Sequence, residues 1–306
     1  MTIAPKLDLL KLSLVATVWF SVSQSIAIRY FNERGWSMDK NFMTLATEAC
    51  KILFACAASF GMLGKSPFPD KWRYGFVVNS VLYMGTNLLT YAILERVNVG
   101  VYLVLVQHKV LLVVGLSTVI FKRTYTKGQW FACVLLMIGL MCTRMDENAS
   151  MPSLFAVGLI VAQGMCSSFS GVWIEKMMKD NTEKSDALHA FLTDSIQMYV
   201  FGLPFYGVVY MVSAPEEHTL PFKYMCALLV NGACCGLFIG SIFKFYSSVV
   251  RIFVQGVTVV LTVWTSVAFM NEQSSWGLGM GTAAVVGGIV LFNTAKAPKA
   301  SVIPSK

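Results

Sequence analysis

The sequence predicts an all-α, polytopic membrane protein of ten transmembrane helices arranged as two inverted five-helix repeats, residues 1–147 and 148–306. Three observations carry that expectation. Of 306 residues, 56% are hydrophobic and 13% charged. The mean hydropathy is +0.64, and apolar segments of about 20 residues, the length a helix needs to cross a bilayer, recur along the chain. Lys and Arg alternate in abundance from loop to loop, as they do when successive loops lie on opposite sides of a membrane. At an offset of 148, Val106 meets Val254, Gln107 meets Gln255, Phe121 meets Phe269 and Gly139 meets Gly287. A repeat of five spans is necessarily inverted in the membrane, a transporter architecture whose site lies near the midplane between the halves.

The first span, 9–28, follows a short, mildly charged tail and precedes no small-residue cleavage pattern, so it reads as a retained helix. The second, 42–63, carries Glu48 and Lys51, three apart on one face and able to neutralise one another. In the third, 75–94, Asn79, Tyr83, Thr86, Asn87 and Thr90 fall at helical spacing on one face. The fourth, 97–121, is apolar except for Gln107-His108-Lys109 at its middle. The fifth, 129–143, is the shortest. The sixth, 153–177, has Gln163, Ser167 and Ser170, and the seventh, 190–212, has Ser195, Gln197 and Tyr199. The eighth, 222–245, carries Gly232, Gly236 and Gly240, a doubled small-xxx-small pattern that allows close backbone approach. Gly277 and Gly281 do the same in the tenth, 276–293. Packing within the bundle is the expected role of these stripes, and a homodimer through one of them is the alternative. The ninth, 252–270, continues a polar face that begins at Arg251 with Gln255, Thr258, Thr262 and Thr265.

Sixteen of the 24 Lys and Arg residues fall on the side of the N-terminus, six on the other, and Lys51 and Lys109 inside spans. Both termini are therefore expected in the cytosol. The Asn148-Ala149-Ser150 sequon lies on the other side but close to two spans, and is expected to be unused. The eight cysteines sit in or beside apolar runs and read as small buried hydrophobes. The three histidines lack metal-ligand spacing, so no metal and no cofactor are expected. The net charge of +8 is spread among loops without an aromatic-interleaved patch, which argues against nucleic-acid binding.

A lysine near the middle of a membrane helix costs roughly 2.5–3.5 kcal/mol, so Lys109 needs a carboxylate partner, a wet cavity or an anionic ligand. Tyr102, about two turns earlier, shares its face. Any one polar stripe is as well explained by interhelical hydrogen bonds as by a cavity. With Thr17, Ser21, Gln24 and Ser25 on the first span, the polar stripes of the first, third, sixth and ninth spans number four, and four stripes with a central lysine favour a water-filled cavity. Lys109 and Arg251 in such a cavity suit an anionic group, and Tyr83, Tyr102 and Tyr199 can stack on a flat ring while Asn87 and Gln197 read its edge. These residues describe a carrier of an anionic, partly aromatic solute; phosphate, base and hydroxyls together describe a nucleotide derivative. A membrane enzyme would need an acid/base pair, and Glu175 and Asp194, the carboxylates inside the spans of the second half, have no histidine at helical spacing.

Several stretches resemble the nucleotide-sugar transporters of the Golgi, the group that includes the CMP-sialic acid, UDP-galactose and UDP-N-acetylglucosamine carriers. Thr47-Glu48-Ala49-Cys50-Lys51 is similar to the family's Thr-Glu-x-x-Lys, and Tyr102 to Lys109 to its Tyr-x-x-x-x-Gln-x-Lys run, continuing into Lys127-Gly128-Gln129-Trp130. Ser167-Ser168-Phe169-Ser170-Gly171-Val172-Trp173-Ile174-Glu175-Lys176 resembles Ser-Ser-Gly-Phe-Ala-Gly-Val-Tyr-Phe-Glu-Lys with one residue fewer. Ile196-Gln197-Met198-Tyr199 and the spacing from Lys244 to Arg251 also fit. The resemblance implies ten helices in inverted halves, with a cytosolic nucleotide sugar exchanged for a lumenal nucleoside monophosphate in the Golgi or endoplasmic reticulum membrane. It places Lys109 and Arg251 on the phosphate and Tyr83, Asn87, Tyr102 and Tyr199 around the nucleotide. The chain departs from the family pattern at Thr86-Asn87-Leu88, Leu103, Val106, Ser195 and Arg251. The altered positions line the presumed base and sugar pockets, so they bear on substrate identity. The expected cargo is a UDP-sugar such as UDP-galactose or UDP-N-acetylglucosamine; CMP-sialic acid or another organic phosphate is the alternative.

Overall fold

The computed structural model of the chain describes residues 3–69, 71–143, 152–180, 187–213, 217–269 and 276–295, and among these it is helical without strands. The Asn148 sequon, the 147/148 boundary between the expected halves and the basic C-terminal tail lie outside the described residues. The helices, in order, are α1 (Ile3–Glu33), α2 (Lys40–Leu63), α3 (Gly75–Leu94), α4 (Val99–Leu105), α5 (Lys109–Phe121) and α6 (Lys127–Cys142). They are followed by α7 (Leu154–Asp180), α8 (Ala187–Val212), α9 (Phe222–Phe245), α10 (Ser248–Phe269) and α11 (Trp276–Thr294).

Local chemistry sets the boundaries. Asp39 caps α2, its Oδ1 accepting from the backbone N–H groups of Asn41 and Phe42 at 2.9 Å, and Gly64 ends that helix in the left-handed conformation at φ 61°. Asn98 caps α4. Thr126 and Gln129 form a reciprocal capping box at the start of α6.

Among the described residues, nine helical segments are long and apolar enough to cross a membrane, with Val99–Phe121 counted as one. The short α6, 16 residues, is about 24 Å long, less than the roughly 30 Å hydrocarbon layer. The fourth span is not one continuous α-helix. A 3-10 turn over Val106–His108 separates α4 from α5, at the polar triplet that interrupts its hydrophobic pattern. Large apolar side chains such as Leu53, Val119 and Phe131 are exposed on the outside of the bundle, a surface that lipid rather than water satisfies.

The helices pack in a recurring pattern. α2 lies along α8, α6 along α11, and α5 meets α10; α3 packs on α7 as α1 does on α9, α2 on α9 as α3 does on α8, and α5 on α7 as α1 does on α10. The α6–α11 seam is the closest. A Cβ on Gly281 would lie 2.6 Å from the Gly139 carbonyl oxygen, and one on Gly288 2.9 Å from that of Ala132. Without a hydrophobic drive between helices in lipid, such backbone proximity is what generates packing attraction. One apolar core joins α5, α6, α10 and α11 around Val114, Leu136 and Phe253, and another joins α2, α3, α7, α8 and α9 around Phe76, Ile196 and Phe243. The second surrounds the site.

Candidate functional site

Helical spacing brings polar residues from four elements to one cavity of about 130 Å³, with Glu48 and Lys51 from α2, Asn79 and Tyr83 from α3, Tyr199 and Tyr206 from α8, and Arg251 from the first turn of α10, while Gly236 and Gly240 of α9 complete the wall. Lys51 donates to the Glu48 carboxylate at 2.7 Å, and its Nζ lies 5.2 Å from the centre of the Tyr199 ring. The Arg251 guanidinium stands 5.0 Å from the ring centre of Phe243. Two cations and one carboxylate thus share the wall of one cavity. Aromatic faces beside both hold them by cation–π attraction while leaving hydrogen-bond donors for an anion. Tyr199 is 3% exposed and its hydroxyl has no hydrogen-bond partner. A buried phenol is normally satisfied, so this one is arranged to receive a partner from the cavity.

The sequence-derived candidates divide. Tyr83, Tyr199 and Arg251 line the cavity. Asn87 follows one turn beyond Tyr83 on α3. Further along that face of α3, Gln163 of α7 donates to Thr90 at 3.0 Å and to the Tyr102 hydroxyl at 2.8 Å, so the polar stripe on α3 runs from the cavity to Tyr102. Lys109 begins α5 against α7, where its carbonyl oxygen accepts from Ser168 at 3.4 Å. Arg251 approaches α7 at Gly171, one turn from the Ser168 that meets the Lys109 backbone, and Lys109 is outside the lining of the cavity. Ser195 is fully buried, its hydroxyl turned back onto the Phe191 carbonyl within α8 at 2.8 Å. Gln255 is exposed on α10.

Sequence reasoning read Glu48 and Lys51 as a pair that need not touch a ligand; the cavity has them in its wall. Tyr206 was not singled out, although it lies seven residues after Tyr199, about two turns along the same face. Gly236 was read only as packing. A Cβ there would stand 3.0 Å from Lys51 Nζ, so the glycine makes room for the ammonium group.

Two buried carboxylates lie beyond the lining residues Ile174 and Met198. Glu175 of α7, fully buried, accepts from Arg123 at 2.6 Å, from Lys179 at 2.7 Å and from the backbone N–H and hydroxyl of Ser248 at 2.8 and 2.7 Å. Asp194 of α8, also fully buried, accepts from Arg73 at 3.1 Å and Lys244 at 3.3 Å. Burial works against the charge on Arg123, but its hydrogen bond and attraction to Glu175 more than offset it and raise its pKa above the ordinary arginine value. Arg73 and Arg123 come from the α2–α3 and α5–α6 loops. They tie the first half of the chain to carboxylates of the second.

A family model described as nucleotide-sugar transporter matches residues 70–293, which include all of this machinery except Glu48 and Lys51. The chain belongs to the nucleotide-sugar transporter family. It is 24% identical over 230 residues to CMP-sialic acid transporter 4 of Arabidopsis thaliana, covering 72% of this chain and 64%, just under two thirds, of that protein. It is 23% identical to CMP-sialic acid transporter 2 of Oryza sativa over 92% of this chain and 83% of that one. With a UDP-galactose/UDP-N-acetylglucosamine transporter of Caenorhabditis elegans it shares 21% identity over 90% of this chain and 81% of the relative. A solved crystal structure superposes with a TM-score of 0.71 at 12% identity, over 93% of this chain and 96% of the other, and shows the same fold. A nucleotide-sugar transporter carries its cargo without covalent chemistry, and this chain is not an enzyme.

Proposed function

We propose that this nucleotide-sugar transporter is an antiporter that exchanges a cytosolic nucleotide sugar for a lumenal nucleoside monophosphate across the Golgi membrane, working by alternating access between two inverted five-helix halves. The observation that carries the reading is the cavity between those halves, lined by the Lys51–Glu48 pair, Arg251 and Tyr199, whose buried hydroxyl has no hydrogen-bond partner. Lys51 and Arg251 take the phosphate, and Lys109, against the neighbouring turn of α7, completes the cationic lining as the halves rock. Tyr83, Asn87, Tyr199 and Tyr206 surround the nucleoside, and Tyr102 holds the far end of the α3 stripe. Ser195 and Gln255 act at second rank, by packing α8 and by lining α10.

The packing pattern supports the inverted halves. Advancing every span by five turns the third–sixth contact into the first–eighth, the second–eighth into the third–seventh and the fourth–sixth into the first–ninth, while second–seventh, fifth–tenth and fourth–ninth map onto themselves. A two-fold relation between the halves would produce such a map, which is why it supports the reading. The Lys and Arg bias puts both termini in the cytosol, so the Arg73–Asp194 and Arg123–Glu175 end is the cytosolic one.

The expected cargo is a UDP-sugar. The CMP-sialic acid transporters among the relatives favour a second reading, a CMP-sugar carrier. Proteoliposomes preloaded with UMP or CMP and offered radiolabelled UMP or CMP decide the matter. Trans-stimulated UMP uptake is the expected result, and CMP-selective uptake would establish the second reading. The absence of exchange with either nucleotide would overturn the antiport proposal.

A further inference from the structure

His108 ends the 3-10 turn between α4 and α5, immediately before Lys109. Its Nδ1 lies 2.8 Å from the Leu105 carbonyl oxygen. A carbonyl oxygen only accepts, so Nδ1 carries the hydrogen, and in the neutral ring Nε2 is a bare lone pair. That nitrogen is buried and has no hydrogen-bond partner. It is seated on Gly164 of α7, where a Cβ would collide with it.

The residue next to that glycine is in the same state. Gln163, 4% exposed, donates through its NH₂ group to Thr90 and Tyr102. Thr90 gives its own hydrogen to the Thr86 carbonyl at 2.8 Å, so its oxygen must accept and the amide is fixed in this sense. Gln163 Oε1 is therefore an acceptor, buried and without a partner. Two buried acceptors at one helix contact lack a donor, a costly state. A proton on His108 Nε2 makes one of them the donor.

The turn packs against α4, α5, α6 and α7, whose titratable groups within the bilayer are Tyr102, Lys109, Cys133, Cys142, Cys166 and Glu175. Lys127, Lys176, Lys179 and Asp180 lie toward the helix ends. Tyr102 is engaged by Gln163, and Glu175, about three turns from Gly164, is held by Arg123, Lys179 and Ser248. Among the described residues of these four helices an imidazolium at 108 thus finds an amide oxygen and a neighbouring ammonium group but no carboxylate at hand. Its charge is left for a mobile anion to neutralise.

Resting on the transport reading above, we propose that His108 is a proton-binding site inside the membrane, with Gln163 Oε1 as the acceptor available on α7, and that its proton and the anionic cargo bind with positive coupling. The proton adds a cation beside Lys109, and the cargo phosphate offsets the repulsion between the two. Histidine ordinarily gains and loses its proton between pH 5 and 8. Coupling of this sign makes cargo binding tighter when His108 is protonated, and the gain is lost as pH rises through its titration.

The test is the KM for radiolabelled UMP in UMP-loaded proteoliposomes containing the full chain, with CMP in its place where CMP is the nucleotide exchanged. It is measured at about pH 5.5 and about pH 7.5, equal on both faces, for the unaltered chain, His108→Gln and His108→Leu. The nucleotide phosphate titrates in the same window, identically for all three proteins, so the readout is the KM of the unaltered chain relative to each variant. That ratio is expected to fall about fivefold from the higher pH to the lower, the lower end of ordinary coupling between sites. His108→Gln keeps a polar side chain that does not titrate, and His108→Leu removes the polarity altogether. Either serves as the reference if the other fails to fold. A ratio that does not change with pH would overturn the proton site and leave the transport reading standing. A chain that exchanges neither nucleotide at either pH would remove the transport reading and the coupling with it.

Discussion

Lys51 shows how a single side chain acquires a role from its neighbours. On α2 alone it is a lysine paired with Glu48. In the fold it is held over Tyr199 and fits because residue 236 has no Cβ. Gly236→Ala is therefore expected to displace the ammonium group and weaken UMP binding by about tenfold, the scale of one charge-assisted hydrogen bond, with little change in thermal stability. Isothermal calorimetry and a melting curve on the same detergent-solubilised sample check both halves of that statement. Lys109→Ala is expected to abolish exchange without unfolding the bundle. Its carbonyl contact with Ser168 uses the backbone, which the substitution leaves in place, so full transport by a folded Lys109→Ala protein would remove Lys109 from the phosphate site.

At the scale of elements, the break in the fourth span has a local cause. The fourth span breaks into α4 and α5 where Gln107-His108-Lys109 interrupts the apolar run, and the side chain of His108 turns back to bond the Leu105 carbonyl at 2.8 Å. Short 3-10 segments inside helices mark hinges, and discontinuous helices commonly frame transporter sites. The α6–α11 seam is the opposite case, a rigid pair held by glycines. Gly281→Leu must push its side chain into the Gly139 backbone and is expected to destabilise the protein by roughly 1–3 kcal/mol. A lowered thermal midpoint with an unchanged KM in the surviving protein is the expected signature. A changed KM at normal stability would assign the seam to the site.

For the whole molecule, the two buried carboxylates join distant parts of the chain near one end of the bundle. Glu175 and Asp194 are each held by an arginine from the other half of the chain. A buried carboxylate deprived of its cations is costly, so the halves separate at this end only if those ions rehydrate together. Weakening the clamp is expected to open it. With the native cysteines replaced and a single cysteine placed at Ser80 in the cavity wall, the Arg73→Ala/Arg123→Ala variant is expected to react about tenfold faster with a membrane-impermeant thiol reagent applied from the Arg73 side, the scale of one lost charge-assisted interaction. Unchanged reactivity would mean that apolar packing closes this end and the ion pairs are incidental.

Hydropathy and helical period are local properties, and they determined the all-helical membrane class, the rough position of the spans but not the break between α4 and α5, and the polar faces of α3 and α10. They also flagged the chemically unusual residues, since Lys51, Lys109, Glu175 and Asp194 stand out in any apolar window. The tertiary structure alone decided which of these meet. Arg73 and Asp194 are 121 positions apart, and Arg123 and Glu175 are 52 apart. No periodicity connects such pairs, because the angle at which one helix faces another depends on close packing at glycines and small side chains summed over the whole bundle. For that reason Tyr83, Tyr199 and Arg251 could be read from the chain as polar residues awaiting a cavity. That Lys51 shares the cavity with them, that Ser195 turns back on its own helix, and that His108 is seated on Gly164 are properties of how the helices pack.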